Sequence, residues 1–270
     1  MESGASHKHH LITIILSKVT MKSLFLTLGL LSLSALALAD KCGDANYDPK
    51  SYICHNGNFL CPVVNGEGLS YCNGACYSKF MYQCNSGVLS QLPFLEQGSK
   101  FTLTAWNPAL PQVHGKSIAN SGRHWWVGGE TVSYCPDVVK DQGGCPPGNV
   151  TSMVYSGGMN TVVPGGQGYY LNANWNVEIT QAHSAYIPLG STLGGLVAYK
   201  DGGFINTNGQ PTGWVACPGT ASGGGGSDGR WNLVARNASS ADALSGCTGI
   251  NLQVNYLGDS STPASVWQYI

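Results

Sequence analysis

The residues best able to do chemistry crowd into "YCNGACYSKFMYQC", residues 71–84, where three cysteines and three tyrosines share one short polar stretch. Thiols can bridge or bind metal, and phenol rings can pack or bind. Six of the ten cysteines, Cys42, Cys54, Cys61, Cys72, Cys76 and Cys84, lie between 42 and 84. So small a segment cannot bury enough apolar surface to fold unaided, so three disulfides are its expected staple. The sequence alone does not choose among the possible pairings. A zinc site on the C-x3-C pair Cys72 and Cys76 is the rival, but no second tight Cys or His pair accompanies it. Of the remaining four, Cys135 and Cys145 span a short loop and are expected to pair, as are Cys217 and Cys247 around the glycine-rich "ASGGGGSDG", residues 221–229.

Catalytic constellations are harder to find. Glycoside hydrolysis needs two carboxylates at a defined separation. From residue 101 onward the acids are Glu130, Asp137, Asp141, Glu178, Asp201, Asp228, Asp242 and Asp259, all scattered, and Glu130 with Glu178 is the pair to test first. His114, His124 and His183 show no H-x-H or H-E-x-x-H spacing, and no G-x-S-x-G elbow is present. The expectation is a protein that is not an enzyme, with no metal and no cofactor.

The elements that must carry these residues follow from composition. About a tenth of the 270 residues are charged, 37 are glycine and the net charge is −1. That suits short strands and tight turns, and offers no electrostatic case for nucleic acid or an anionic membrane. Residues 21–39 carry a Lys, an apolar run and small residues ending at Ala39, the pattern of a secretory signal cleaved before Asp40. Residues 1–20 then read as an upstream extension, with Met21 the expected initiator. A mature chain starting at Asp40 lacks the N-terminal histidine that a copper polysaccharide oxygenase requires. The sequons at Asn149 and Asn237 fit the same secreted route, as does the even cysteine count.

After a disulfide-rich module at 40–86 and a linker at 87–100, residues 101–270 read as all-β. The runs 101–106, 124–129, 168–175, 193–199, 213–218, 230–236 and 250–256 are β-branched and aromatic, each bounded by Gly, Pro, Asn or Asp. In the last, Ile250, Leu252, Val254 and Tyr256 alternate with polar residues as in a half-buried strand. A β-sandwich or β-barrel-like domain is expected, with a β-trefoil as alternative because three of the runs look loosely alike. Leu89, Leu92, Phe94 and Leu95 make the linker apolar enough to dock.

The CG…YDP…Y-x-C start, "LCP" centre and C-x-x-x-C-Y…Y-x-C end of residues 42–89 resemble the small fungal carbohydrate-binding module of family 52. The resemblance implies binding to β-1,3-glucan, without catalysis, in the extracellular space or cell wall; the alternatives are a glucan-active hydrolase or transferase targeted by the module, or a structural or immune-interacting wall protein. None of the acids forms the E-x-D-x-x-E pattern of the β-glucanases that share this module. Independently, sugar rings stack their C–H faces on aromatic rings and need amide or hydroxyl partners. Tyr47, Tyr52, Tyr71, Tyr77 and Tyr82 stand among Asn46, Asp48, Asn56, Asn58, Asn73 and Gln83, and are the candidate sugar-binding residues. The alternative is that these rings cover the disulfides as a miniature core, to which Phe59 and Leu60 are assigned. The segments "FTLTAW", "HGKSIANSG", "VPGGQGYY", "TQAHSAYIP" and "GWVACP" are similar to secreted filamentous-fungal proteins labelled IgE-binding or cell-wall proteins, a resemblance that implies location rather than mechanism.

Overall fold

In a computed structural model describing residues 40–207, 213–219, 229–235 and 246–270, Gly- and Asn-rich turns break the chain into short antiparallel strands. The expected extension 1–20, the signal segment 21–39, the stretch 221–228 and the Asn237 sequon lie outside the described residues, as do Asp228 and Asp242.

The first strands are β1 (Asp40–Cys42), β2 (Ala45–Tyr47), β3 (Tyr52–His55), β4 (Phe59–Val64), β5 (Glu67–Gly68), β6 (Ser70–Cys72), β7 (Ala75–Tyr77), β8 (Tyr82–Asn85) and β9 (Val88–Gln91). They form small hairpins rather than a continuous sheet, with β1 on β2, β3 on β4 and β5, β6 on β7 and β8 on β9. Three disulfides hold them: Cys42–Cys54, Cys61–Cys76 and Cys72–Cys84. Cys72 and Cys76 thus enter different bridges. Cys135–Cys145 and Cys217–Cys247 complete the set, each bridge staying within its own region.

The segment after β9 is docked. The Leu95 N–H donates to the Ala198 carbonyl at 2.9 Å and the Lys200 N–H to that of Pro93 at 2.8 Å. Leu95 is buried, and the exposed Phe94 ring lies 4.9 Å from that of Tyr199.

Beyond it run β10 (Lys100–Trp106), β11 (Ile118–Ser121), β12 (His124–Val127), β13 (Ser133–Tyr134), the four-residue helix α1 (Asp137–Lys140), β14 (Met153–Val154), β15 (Gly158–Met159), β16 (Tyr169–Leu171) and β17 (Val177–Ile179). They are followed by β18 (Leu196–Ala198), β19 (Phe204–Asn206), β20 (Trp214–Pro218), β21 (Trp231–Ala235), β22 (Thr248–Gly258) and β23 (Gln268–Tyr269). Among the described residues a ten-stranded sheet runs β15-β14-β10-β22-β20-β21-β12-β17-β16, with β11 beside β12. Its end strands meet at one isolated bridge, Gly158 to Gly168, rather than along a ladder, so the sheet is not closed. The barrel and trefoil alternatives, both of which need closure, are therefore set aside.

Period-two burial builds the core. Phe101, Leu103 and Ala105 of β10 face Tyr256, Val254 and Leu252 of β22 in register. Ile250, Leu252 and Val254 are buried as the alternation requires, but Tyr256 is exposed, its ring 5.9 Å from the Lys200 ammonium. At the centre Phe204 stacks on Trp214 at 5.6 Å and contacts Phe101, Trp125 and Tyr169. The Trp214 indole N–H donates to the Phe204 carbonyl at 2.6 Å, fixing the pair. Phe204→Ala should cost about 3–5 kcal/mol of unfolding free energy, measured by denaturant titration, because four aromatic neighbours lose their common contact. A loss under about 1 kcal/mol would mean the cluster collapses onto the gap.

Candidate functional site

The tyrosines are placed by an internal repeat. The pattern C-x2-A-x-Y-x4-Y-x-C-x2-G occurs from Cys42 to Gly57 and again, thirty positions later, from Cys72 to Gly87. The hairpin register repeats with it: Cys42 faces Ala45 and Asp40 faces Tyr47, as Cys72 faces Ala75 and Ser70 faces Tyr77. So does the turn that follows. The Tyr52 N–H donates to the Asp48 carbonyl and the Tyr82 N–H to that of Ser78, both at 3.0 Å. Side chains cap it equivalently, the Asp48 carboxylate accepting from the Lys50 N–H and the Ser78 hydroxyl from the Phe80 N–H. Asn56 and Gly57, and Ser86 and Gly87, supply the positive φ angles of matching turns, which glycine adopts without strain. Each copy has its own bridge, Cys42–Cys54 or Cys72–Cys84, and Cys61–Cys76 ties the copies together. This repeat is a sequence signal that could have divided the tyrosines into pairs.

The copies differ in surroundings. Tyr52 is 42% exposed and Tyr47 half-buried, on the copy nearer the N-terminus. Tyr77 and Tyr82 line a groove of about 510 Å³ with Met81 and Leu89, faced across by Ile205 of β19 and Asn251 of β22. Tyr71 is held differently, its ring 4.7 Å from Phe59 and 6.1 Å from a stacked His55, whose Nε2 lies 2.9 Å from the Leu69 carbonyl oxygen. Of the five candidate tyrosines, four fall at equivalent positions of the two copies, and half-buried Tyr71 lies outside the repeated pattern against Phe59 and His55. Phe59 and Leu60 are half-buried.

Glu67, Ile205 and Asn251 were not anticipated, because they come together only across the seam between module and sheet. Glu67 is buried and accepts from the Ser78 hydroxyl at 2.7 Å and the Lys79 N–H at 2.8 Å, with the Asn251 amide at 3.5 Å. Half-exposed phenol rings beside amides, with apolar Leu89 and Met81, suit a neutral polyhydroxylated ring.

The candidate acids separate. Glu178 accepts from the Tyr170 hydroxyl at 2.7 Å and the Asn172 amide at 2.6 Å, with His124 Nδ1 at 3.5 Å. Burial and the adjacent Glu178 carboxylate push the Tyr170 phenol well above its usual range. Glu130 instead lines a cavity of about 490 Å³ with Thr102, Ser117 and exposed Asn149, and Glu178 is not part of that lining. The His114 Nδ1 accepts from the Asn107 N–H at 3.3 Å. Among the described residues no group of three or more His, Cys, Asp or Glu could hold a metal ion. Nor is any helix among them long and apolar enough to cross a membrane.

Comparison with known proteins places residues 41–89 in a match to a family model described as carbohydrate binding. An uncharacterized secreted protein of Arthroderma benhamiae is 40% identical over 121 residues, 43% of this chain and 60% of that protein. The primary septum glucan endo-1,3-beta-D-glucosidase of Schizosaccharomyces pombe is 51% identical over 49 residues, 18% of this chain and 5% of the enzyme. The chain thus spans less than two thirds of either relative. No solved structure matches. The carbohydrate-binding match thus lies on residues 41–89, and the described residues as a whole are nearly all-β with five disulfides.

The seam predicts a pH effect. Burial raises the Glu67 carboxyl above its ordinary value of 4.5, against the lowering by its hydrogen bonds. The folded chain therefore keeps this proton to higher pH than the unfolded chain. The stability so contributed is fully present below about pH 4.5 and is lost as pH rises through the raised folded value. Glu67→Gln, which keeps an acceptor for the Lys79 N–H, should flatten that decline in denaturant titrations between about pH 4 and 7. An unchanged slope would assign the titration to another group.

Proposed function

We propose that this is a secreted, non-enzymatic protein that binds β-1,3-glucan of a fungal cell wall through residues 41–89, a module of carbohydrate-binding family 52. The observation that carries the reading is the match of these residues to a carbohydrate-binding family model, over a fold that leaves repeated tyrosine pairs beside amides. Support for the linkage comes from the fission-yeast relative, whose name specifies a glucan endo-1,3-beta-D-glucosidase and whose shared stretch is as long as segment 41–89. Only 5% of that enzyme is shared, which favours a common binding module over a common activity. Five disulfides fit an extracellular location, and an exposed Asn149 suits glycosylation there.

Affinity on this reading comes from stacking and neutral hydrogen bonds, which salt hardly screens. Oxidised residues 40–270 should sediment with insoluble β-1,3-glucan, poorly with chitin or cellulose, and equally well at low and high salt. Tyr52→Ala should weaken binding by about 0.5–1.5 kcal/mol, roughly a 2- to 12-fold loss. Retention of all disulfides in the variant, checked by mass mapping, separates a lost stacking surface from a lost fold. Equal sedimentation with all three polysaccharides would refute the specificity, and none with any would refute the reading.

A further inference from the structure

We propose that the tandem repeat gives the protein two sugar subsites of different construction. One is open, on Tyr47 and Tyr52. The other is composite, in the groove where Tyr77 and Tyr82 face Ile205 of the β18–β19 hairpin and Asn251 of the large sheet. The inference rests on residues 41–89 being a glucan-binding module, and adds a subsite that the module does not possess by itself.

Equivalence is the first support. Tyr77 and Tyr82 line one groove together. Register, turn hydrogen bonds and disulfide all repeat thirty positions earlier, so the backbone carries Tyr47 and Tyr52 as it carries Tyr77 and Tyr82. A duplicated unit that keeps both tyrosines in both copies keeps the same stacking surface twice.

The groove's chemistry is the second. Its volume, about 510 Å³, falls within the roughly 300–1,000 Å³ of small-ligand pockets. Its lining joins apolar Val64, Met81 and Leu89 to the phenol rings and to the amides of Asn65 and Asn251, and among the described residues includes no Lys, Arg or His. The one carboxylate there, Glu67, is occupied by Ser78 and Lys79. An anionic ligand would find no cation and a cationic one no free carboxylate. A neutral chain of glucose rings meets apolar faces and amide partners together.

Strand geometry supplies the wall. Ile250 and Leu252 point into the core, so Asn251 between them faces the module, and Ile205 does the same between buried Phe204 and Asn206. β19, paired with β18 in a separate two-stranded sheet, and β22 of the large sheet each bury one face and present the other to Tyr77 and Tyr82.

Hydroxyl-radical footprinting of oxidised residues 40–270, with and without laminaritriose (three β-1,3-linked glucoses), reads both subsites in the unaltered protein. Tyr52, Met81 and Tyr82 should all become protected. Calorimetric titration should give two trisaccharides per chain, reduced to one by Ile205→Trp, which fills the groove, with the remaining affinity unchanged. Protection of Tyr52 without Met81 and Tyr82 overturns the composite subsite and leaves glucan binding intact, as does a stoichiometry of one that Ile205→Trp does not alter. No protection and no heat overturns glucan binding itself. Should Ile205→Trp fail to fold, the footprint of the unaltered chain decides.

Discussion

The module cannot bury enough of itself to stay folded, and most of the architecture follows from that shortage. Its buried apolar side chains are the half-cystines Cys42, Cys61 and Cys72 together with Phe80. The bridges limit the unfolded chain instead, and closing a loop of about fifteen residues is worth about 3 kcal/mol in the chain-entropy account. Phe80 owes its burial to the large sheet. Its ring lies 5.4 Å from Trp106, and its carbonyl accepts the Gly203 N–H at 2.8 Å. A Cβ on Gly202 would meet the Phe80 carbonyl oxygen at 2.6 Å, so the docking requires the absence of a side chain there. Because bridges and docking hold the module, its repeated tyrosines need not serve as a core.

The large sheet solves its own folding problem conventionally and in doing so creates the groove. Strict alternation sends Ile250 and Leu252 of the sheet, and Phe204 of the adjoining β18–β19 hairpin, inward to a dense aromatic and aliphatic centre. The same alternation leaves Ile205 and Asn251 on the opposite face, where the module sits. Asn107 continues the seam, its amide donating to the Gly249 carbonyl at 2.7 Å. Glu67 is the costly element, a carboxylate held in a buried position by Ser78, Lys79 and Asn251. Buried charge requires such partners, and here they come from both sides of the seam.

Local patterns made the all-β class legible, and each of the seven β-rich runs contains a strand. The cysteine count and spacing likewise announced a stapled module and the short bridge Cys135–Cys145. The five tyrosines were visible as a group but not as two pairs and a packed Tyr71, although the thirty-residue repeat was there to be read. What sequence could not supply was non-local. Gly202 beside Phe80, Glu67 beside Asn251 and Ile205 opposite Tyr82 are each separated by more than a hundred positions, and no period or motif links them. The openness of the sheet was hidden for the same reason, since closure depends on how β15 and β16 meet.

Charge is the property that both halves of the protein lack, and the lack is consistent with a neutral polymer as ligand. A net charge of −1 gives little electrostatic steering, so encounter with a polysaccharide would proceed at ordinary diffusional rates. Affinity must then come from contact area and from valency. The two tyrosine pairs sit on copies tied by Cys61–Cys76 rather than by a flexible linker, so the proposed subsites would keep a fixed separation. A polymer long enough to reach both would make its second contact at high effective concentration, whereas a short oligomer would not. With the proposed subsites acting together, the duplication would favour a long polymer over its short fragments without any change in the chemistry of a single site, and the rigidity given by the disulfides would serve the binding as well as the fold.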